Sequence, residues 1–182
     1  MKYSMYLYEG DLSSDEFREN LLKEAVVTYC RNHRIEWDEI VIHRAEKGKP
    51  YILGTHRDVY CNVSHTENMW ICMVGEAECG IDLQKVKECR YEQLAKRYFT
   101  PEEQAYVQEN GIQGFFKLWV RREAFCKYTG EGFFGRIPPL TDGEGGLNTM
   151  IADGFLQDIP IADDLLCTFC TGGEDDEIEF FG

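Results

Sequence analysis

A glutamate and a lysine lie one helical turn apart in the segment WVRREAFCKYTG, residues 119–130. The spacing of apolar residues in this segment predicts a helix. At about 100° per residue, both charged side chains then lie on the same side of the helix as the apolar side chains of Phe116 and Val120. An ordinary surface pair of Glu123 and Lys127 would stabilise the helix only slightly, and the apolar stripe disfavours that interpretation. A carboxylate in apolar surroundings needs a counter-charge or a metal, or it becomes protonated. The pattern therefore places a carboxylate and an ammonium among apolar side chains, where the carboxylate needs a partner.

A third candidate residue, Asp82, lies in the strand-like segment CGIDLQ. In a strand, Ile81 and Leu83 point to one face and Asp82 to the other. Such an aspartate is usually solvent-facing or at a strand end, but the basic segment that follows favours an edge beside a cleft. Lys127 could pair with Glu123, and a hard cation could be held jointly by Asp82 and Glu123; the two arrangements can coexist. Carboxylates on a metal beside a lysine suit phosphoryl transfer.

The elements that must position these residues alternate between short strands and amphipathic helices. Thr100, Pro101 and Glu103 form the start signal of one helix, which Gly111 ends. Gly130 is expected in a left-handed cap after the next helix. We predict an α+β domain with antiparallel strands and helices on one side. The predicted strands lie near 2–8, 39–45, 50–53, 59–65, 69–74, 81–83, 147–152, 154–161 and 165–171, and the predicted helices near 13–33, 91–99, 100–111 and 112–130.

Charge is distributed unevenly along the chain. The net charge of −14 argues against a nucleic-acid partner. Residues 1–83 carry a balance of −6, residues 84–130 one of +3 and residues 131–182 one of −11. A polyanionic ligand or an acidic partner is therefore expected at the middle of the chain, although a solvated basic face would give the same balance.

Composition limits the class of protein. A chain of 182 residues with 43% hydrophobic residues is expected to form one domain or two small halves sharing a core. No run of 18 apolar residues occurs and the first residues do not resemble a signal peptide, so we expect a cytoplasmic protein without a membrane segment. The eight cysteines are expected to be reduced core residues. The Cys167–Cys170 pair lies in a predicted strand, on opposite faces, and is not expected to bind zinc.

Four segments together resemble the 4′-phosphopantetheinyl transferase superfamily, in its longer, monomeric (Sfp-like) branch. They cover roughly residues 45–135 in the family's order. In this sequence they read GKPY at 48–51, CNVSHT at 61–66, GIDLQ at 80–84 and FFKLWVRREAFCKYTGEG at 115–132. The resemblance implies a Mg²⁺-dependent enzyme that moves the phosphopantetheine arm of coenzyme A to a serine of an acyl, peptidyl or aryl carrier protein. Adenosine 3′,5′-bisphosphate would be released.

The resemblance also implies roles for the charged residues identified above. Asp82 and Glu123 would hold Mg²⁺ against the coenzyme A pyrophosphate, and Glu123 would receive the proton of the attacking serine, directly or through a water. Lys127 would neutralise charge on the leaving phosphate. Gln84 stands where many relatives have a second acid, so weaker metal binding, direct or through a water, is expected there.

Further residues would bind the two substrates if the resemblance holds. Lys49 and the pair Ser64–His65 would contact coenzyme A phosphates. The basic segment Lys85–Arg97, with Lys117, would suit an acidic carrier protein through electrostatic steering. The basic stretch that grips the 3′-phosphate in longer relatives is replaced by EGDLSSDE, and candidates to substitute for it are Arg31, Arg34 and Lys23.

The implied fold is a pair of similar α+β halves related by a pseudo-twofold, with coenzyme A between them. The N-terminal half would span residues 1–83 and the C-terminal half residues 84–171, followed by a mobile acidic tail at 172–182. Two other functions stay open at this stage. One is a non-catalytic relative that binds coenzyme A or a carrier protein as an assembly or regulatory module. The other is a different Mg²⁺-dependent phosphoryl enzyme acting on nucleotides, against which the lack of a P-loop counts.

Overall fold

The computed structural model describes residues 1–46, 48–132 and 137–181. It is an α+β protein with several antiparallel pairings, as predicted. In chain order its elements are β1 (Lys2–Glu9), α1 (Asp15–Asn32), β2 (Trp37–Arg44), β3 (Pro50–Thr55), β4 (Tyr60–Thr66), β5 (Met69–Gly75), β6 (Gly80–Lys85), α2 (Tyr91–Tyr98), α3 (Pro101–Thr129), β7 (Met150–Ile151), β8 (Gly154–Ala162), β9 (Leu165–Thr171) and β10 (Glu177–Phe181).

The first sheet has the strand order β10-β1-β5-β4, and α1 packs against one of its faces. The helix begins at the cap Ser14, whose side chain accepts a hydrogen bond from the Phe17 backbone N–H. Val26 and Tyr29 are fully buried on the face that meets Trp70 of β5. Strands β2 and β3 form a separate hairpin.

The second sheet has the strand order β6-β9-β8-β7, and α3 packs on one face of it. Asp82 therefore belongs to this sheet, so the change of sheet occurs before Gly80 and not after Leu83. The helix approaches β6 very closely at Gly80. A Cβ at this position would overlap the carbonyl oxygen of Ala124 and contact the backbone nitrogen of Tyr128.

The other faces of the two sheets meet in a shared apolar cluster. Met5 and Met73 from the first sheet pack with Ile81, Leu83 and Phe169 from the second, and all five are at most 2% exposed. Burial on this scale is the main favourable contribution to folding. The two halves are therefore joined through a common core.

The signals predicted for the helix ends of α3 are confirmed. The Thr100 side chain accepts from the Glu103 backbone N–H, and the Glu103 carboxylate accepts from the Thr100 backbone N–H. Gly130 has a φ of 73° and ends the helix in the left-handed conformation. Gly111 has a φ of 62° and a ψ of −148°, so the helix is interrupted where the sequence predicts an end.

The acidic C-terminal segment differs from the prediction of a mobile tail. Residues 177–181 form β10, which pairs in parallel with β1 in the register Lys2↔Glu177. Phe181 stacks on Tyr6 with ring centroids 5.3 Å apart. Composition predicted mobility because the segment is charged, but the free edge of β1 offers it hydrogen-bonding partners. The segment thus completes the sheet of the other half.

All eight cysteines are free thiols, and Cys167 and Cys170 are buried in β9. Burial raises the pKa of both thiols. Both observations agree with the prediction of reduced core cysteines. Across residues 1–46, 48–132 and 137–181, no helix combines the length and apolar character needed to cross a membrane.

Candidate active site

Asp82 lies at the centre of a hydrogen-bonded cluster on β6. Its side chain is buried, at 2% exposure, rather than solvent-facing. Oδ1 accepts from Ser64 Oγ at 2.9 Å and from Lys127 Nζ at 2.7 Å, while Oδ2 accepts from Gln84 Nε2 at 3.2 Å. Charge-assisted hydrogen bonds of this kind offset the cost of burying a carboxylate. The sequence predicted Asp82, Gln84, Ser64 and Lys127 as site residues, and the structure brings these four together.

Helix α3 brings Glu123 and Lys127 to the same place. Lys127 Nζ donates to the backbone oxygen of Ile81 at 3.0 Å as well as to Asp82. Glu123 is half-buried, and its pKa is raised first by burial and then by the negative charge of Asp82, while Lys127 and Arg122 lower it. The charged stripe on the helix therefore faces a cleft, as its position among apolar residues predicts.

Two side chains of β4 hold this cluster to the first sheet. Asn62 Oδ1 accepts from the backbone N–H of Ile81 at 3.2 Å, and Ser64 Oγ accepts from the backbone N–H of Leu83 at 3.1 Å. Both β4 residues are buried, so these bonds replace the strand partner that β6 lacks on this side. Sequence analysis overlooked Asn62, although strand alternation in CNVSHT places it on the same face as Ser64.

Lys49 reaches the end of α3 from the start of β3. Its Nζ lies 2.6 Å from Glu78 Oε2 and donates to the backbone oxygen of Tyr128 at 2.8 Å. A lysine near the last carbonyls of a helix is favoured by the helix dipole. Lys49 is thus beside the site, and it lines the same cavity as Glu123 and Lys127.

His65 does not join Ser64, because neighbouring residues in a strand point to opposite faces. It faces a different cavity, which lies against α1. Partial burial, followed by the positive charges of Arg18 and Lys127, lowers the pKa of its imidazole. Ser64 is therefore buried against Asp82, while His65 lines the second of the two cavities described next.

Two neighbouring cavities share Arg44 and Val63, and sequence analysis did not identify Arg44. Its position could have been found from the hairpin register, in which it pairs with Pro50 beside Gly48 and Lys49. The first cavity, of about 230 Å³, is lined by Arg44, Gly48, Lys49, Pro50, Asn62, Val63, Glu123, Cys126, Lys127, Gly130 and Gly132. The second, of about 500 Å³, is lined by Asp15, Arg18, Glu19, Leu22, Arg44, Val63, His65 and Trp70.

The residues proposed from the sequence for the 3′-phosphate, Lys23, Arg31 and Arg34, line neither cavity. Arg18 and Arg44 line the second one instead. Arg44 also forms an ion pair with Glu19 and donates to the backbone oxygen of Gly48 at 3.0 Å. Arg18 likewise forms an ion pair with Asp15, so the two arginines line this cavity together with the carboxylates that they bind.

The donor chemistry of the cluster fits Mg²⁺. Asp82 supplies carboxylate oxygens from β6 and Glu123 supplies them from α3, while Gln84 adds an amide without charge. Among residues 1–46, 48–132 and 137–181 no group of three or more His, Cys, Asp or Glu side chains could hold a metal. Mg²⁺ is commonly bound by one or two carboxylates, with water and substrate phosphates completing its shell.

We expect Glu123→Gln to stabilise the protein by about 1 kcal/mol at pH 7.5, a usual size for a stabilising substitution. The raised pKa of Glu123 means that its charged form is disfavoured in the fold. The glutamate contributes most to stability below its unfolded pKa, and this contribution is lost as the pH rises through the folded pKa. Urea unfolding of both proteins should therefore differ at pH 7.5 and converge near pH 4. An equal difference at both pH values would contradict this assignment.

Part of the chain is similar to proteins of known function. Residues 78–158 match the model of the 4′-phosphopantetheinyl transferase superfamily. A 4′-phosphopantetheinyl transferase from Bacillus subtilis is 35% identical over 91 residues, covering 48% of this chain and 40% of that protein. HetI from Nostoc sp. strain PCC 7120, also a 4′-phosphopantetheinyl transferase, is 33% identical over 107 residues, covering 54% and 45%.

The 4′-phosphopantetheinyl transferase Sfp from Bacillus subtilis strain 168 is 30% identical over 106 residues, covering 56% of this chain and 46% of Sfp. The chain thus spans less than half the length of each of these relatives. The matched family region contains Asp82, Glu123 and Lys127.

Proposed function

We propose that this chain, whose residues 78–158 match the model of the 4′-phosphopantetheinyl transferase superfamily, transfers 4′-phosphopantetheine from coenzyme A to a serine of a carrier protein. The observation that carries the proposal is the convergence of Asp82, Glu123 and Lys127 beside one cavity that both halves line. A protein that only binds coenzyme A has no need for this set of groups.

The reaction is a phosphoryl transfer in which the serine Oγ attacks the phosphorus next to the pantetheine. The bond from that phosphorus to the oxygen bridging to the adenosine 5′-phosphate breaks, and adenosine 3′,5′-bisphosphate leaves. Glu123 receives the serine proton; a carboxylate that also holds Mg²⁺ is not a strong base, but it need only accept the proton as the new bond forms. Half-burial also limits the access of water to the reacting atoms.

Lys127 stabilises the leaving group. Its ammonium lies between Asp82 Oδ1 and the Ile81 backbone oxygen, which fixes its direction at the bottom of the cleft. Preorganised charge of this kind is the main contribution that a protein makes to phosphoryl transfer, because little covalent chemistry is left for it to do.

Asp82 and Glu123 would hold the Mg²⁺ ion, with Gln84 reaching it directly or through a water. When bound, the ion would neutralise charge on the pyrophosphate of coenzyme A. Gln84 already donates to Asp82 Oδ2, so its role in this chain is to orient that carboxylate. We therefore expect weaker Mg²⁺ binding than with an acid at position 84.

Coenzyme A would occupy the two joined cavities. Lys49 and Ser64 lie beside the first, near the pyrophosphate, while His65, Arg18 and Arg44 direct donors into the second. The second cavity is where the 3′-phosphate would lie, since it contains two arginines. This assignment replaces the candidates on α1 and after it that the sequence suggested.

The proposed partner is an acidic carrier protein, which would bind to the basic surface around α2. Lys87, Arg90, Lys96 and Arg97 are exposed there. Lys85 and Lys117 are less available, because they form ion pairs with Glu67 and Asp158. A basic surface on an otherwise acidic chain favours steering of an acidic partner.

Because one chain supplies both carboxylates, we propose that the protein is a monomer. We also propose that it is cytoplasmic, because its eight free thiols suit a reducing compartment.

The test is intact-mass spectrometry of an apo carrier protein incubated with the chain, coenzyme A and Mg²⁺. We expect a gain of one phosphopantetheine per carrier protein. The rate should fall by about a thousandfold with Glu123→Gln, since the base and a metal ligand are removed together. Calorimetry with coenzyme A should show that the variant still binds it.

Two results would argue for other functions. Binding of coenzyme A without transfer to any acyl, peptidyl or aryl carrier protein would favour the non-catalytic relative. Turnover of coenzyme A or a nucleotide without a carrier protein would favour a different phosphoryl enzyme. Equal transfer by the wild type and Glu123→Gln would remove Glu123 from the mechanism.

A further inference from the structure

Arg121 is a buried arginine on the side of α3 that faces away from Glu123. Two residues along a helix correspond to a rotation of about 200°, so the two side chains point in nearly opposite directions. Arg121 is 4% exposed, and its Nε donates to Asp158 Oδ1 on β8 at 2.8 Å. A second donor of its guanidinium reaches the Asn148 backbone oxygen at 2.9 Å. Arg121 therefore faces the protein interior and not a partner or the solvent.

Asp158 and Asp82 lie in one row across the second sheet. In the antiparallel register, Thr168 of β9 is opposite Asp158 on one side and opposite Asp82 on the other. Residues directly opposite each other share a face of the sheet, so these three side chains point toward α3. Thr168 is fully buried and its Oγ1 donates to Asp158 Oδ1 at 2.8 Å.

The helix lies over this row and is attached at both ends of it. Lys127 binds Asp82 at 2.7 Å, and Arg121 binds Asp158 at 2.8 Å. Six residues of α-helix span about 9 Å, and two strand spacings span about 9.6 Å, so the distances match. Ala124, halfway between the two cations, is fully buried against the sheet. Apolar packing alone sets the rotation of the helix loosely, whereas the two ion pairs on either side of Ala124 add directional contacts that oppose rotation about the helix axis.

We propose that Arg121, acting through Asp158, is a positioning residue that holds α3 at the rotation in which Glu123 and Lys127 face Asp82. The role rests on the proposed function, because it concerns the geometry of that site. Loss of Arg121 would let the helix turn about the Lys127–Asp82 contact. Glu123 projects from the helix beside Lys127, so it would then move relative to Asp82 although it touches neither member of the Arg121–Asp158 pair.

The test compares Arg121→Met, Asp158→Asn and the double variant. Arg121→Met leaves Asp158 with the more distant Lys117 as its only cation, and Asp158→Asn leaves the buried Arg121 without its carboxylate, so we expect the melting temperature to fall by about 6 °C in each. The double variant leaves neither charge, and the amide oxygen that it places at position 158 can still accept from Thr168, so its melting temperature should return to that of the wild type. Lys117→Met is the matched control for melting, because this half-buried lysine is 3.5 Å from the same carboxylate and its loss should change the melting temperature little.

Transfer kinetics should separate positioning from stability. A displacement near 1 Å can cost about a hundredfold in rate, so we expect kcat of the double variant to stay about a hundredfold below that of the wild type. KM for coenzyme A should change by less than about threefold, since no residue lining its cavities is altered. A double variant with restored stability and wild-type kcat would overturn the proposal, as would an effect confined to KM.

A second readout does not depend on transferase activity. In protein labelled with ¹⁵N-lysine, the Lys127 ammonium signal can be assigned by its loss in Lys127→Met. We expect this signal to shift in Arg121→Met and in the double variant, and to be unchanged in Lys117→Met. An unchanged Lys127 signal in the double variant would overturn the positioning role. If the wild type transfers nothing, the proposed function fails, while the NMR comparison still decides whether Arg121 positions the helix.

Discussion

Asp82→Asn is expected to lower the free energy of unfolding by about 2 kcal/mol and transfer by about a thousandfold. The substitution keeps the size of the side chain but removes the negative charge of the carboxylate whose Oδ1 accepts hydrogen bonds from Lys127 and Ser64. Breaking a fully buried ion pair costs about 3–5 kcal/mol. We expect less here because the Lys127 side chain is 28% exposed and water can reach it.

Urea denaturation and the carrier-protein mass assay would measure the two effects separately. Asp163→Asn is the matched control, since this exposed carboxylate is outside the site, and it should change neither quantity measurably. If activity is lost without any loss of stability, the ion pair between Lys127 and Asp82 does not stabilise the free protein. Stability lost with full activity would exclude Asp82 from the reaction.

Gly80→Ala is expected to destabilise the protein by about 3 kcal/mol, at the upper end for overpacking in a core. The added methyl group would overlap the backbone of α3 at Ala124 and Tyr128, which cannot move independently of the helix. The helix would be pushed away from β6, so Glu123 and Lys127 would be withdrawn from Asp82. We therefore expect transfer to fall by about a hundredfold even in the fraction that stays folded.

The control for this substitution is Gly173→Ala. A Cβ at Gly173 would meet no atom within 4 Å. Thermal unfolding and the mass assay, run below the melting temperature of Gly80→Ala, would show both effects. Near wild-type stability of Gly80→Ala would mean that α3 and β6 can separate slightly without loss, which would weaken the close-packing explanation.

Local signals explain why much of the site could be predicted from sequence. The caps of α3 depend on neighbouring residues, and the structure contains both the Thr100–Glu103 box and the left-handed Gly130. The apolar stripe containing Glu123 and Lys127 depends only on helical periodicity. Patterns of this kind lie within one element, so no knowledge of the rest of the chain is needed to recognise them.

The remaining features depend on residues distant in sequence. Burial of Arg121 has no local signal, because its partner Asp158 lies 37 residues further along the chain. His65 was grouped with Ser64 because they are adjacent, yet the strand directs Ser64 to Asp82 and His65 to the cavity beside α1. The position of Arg44 follows from how β2 pairs with β3, and the order of the strands in the sheets could not be read from any local pattern.

The parallel pairing of β10 with β1 has a consequence for synthesis on the ribosome. Lys2 and Glu177 are neighbours in the sheet although almost the whole chain separates them. Contacts between distant residues form slowly, because closing a long loop loses entropy before any contact compensates for it. β1 therefore emerges from the ribosome long before β10, and the edge of β1 that pairs with β10 stays open until β10 has been made. During that interval the nascent chain exposes a surface to which chaperones, or other nascent chains, can bind.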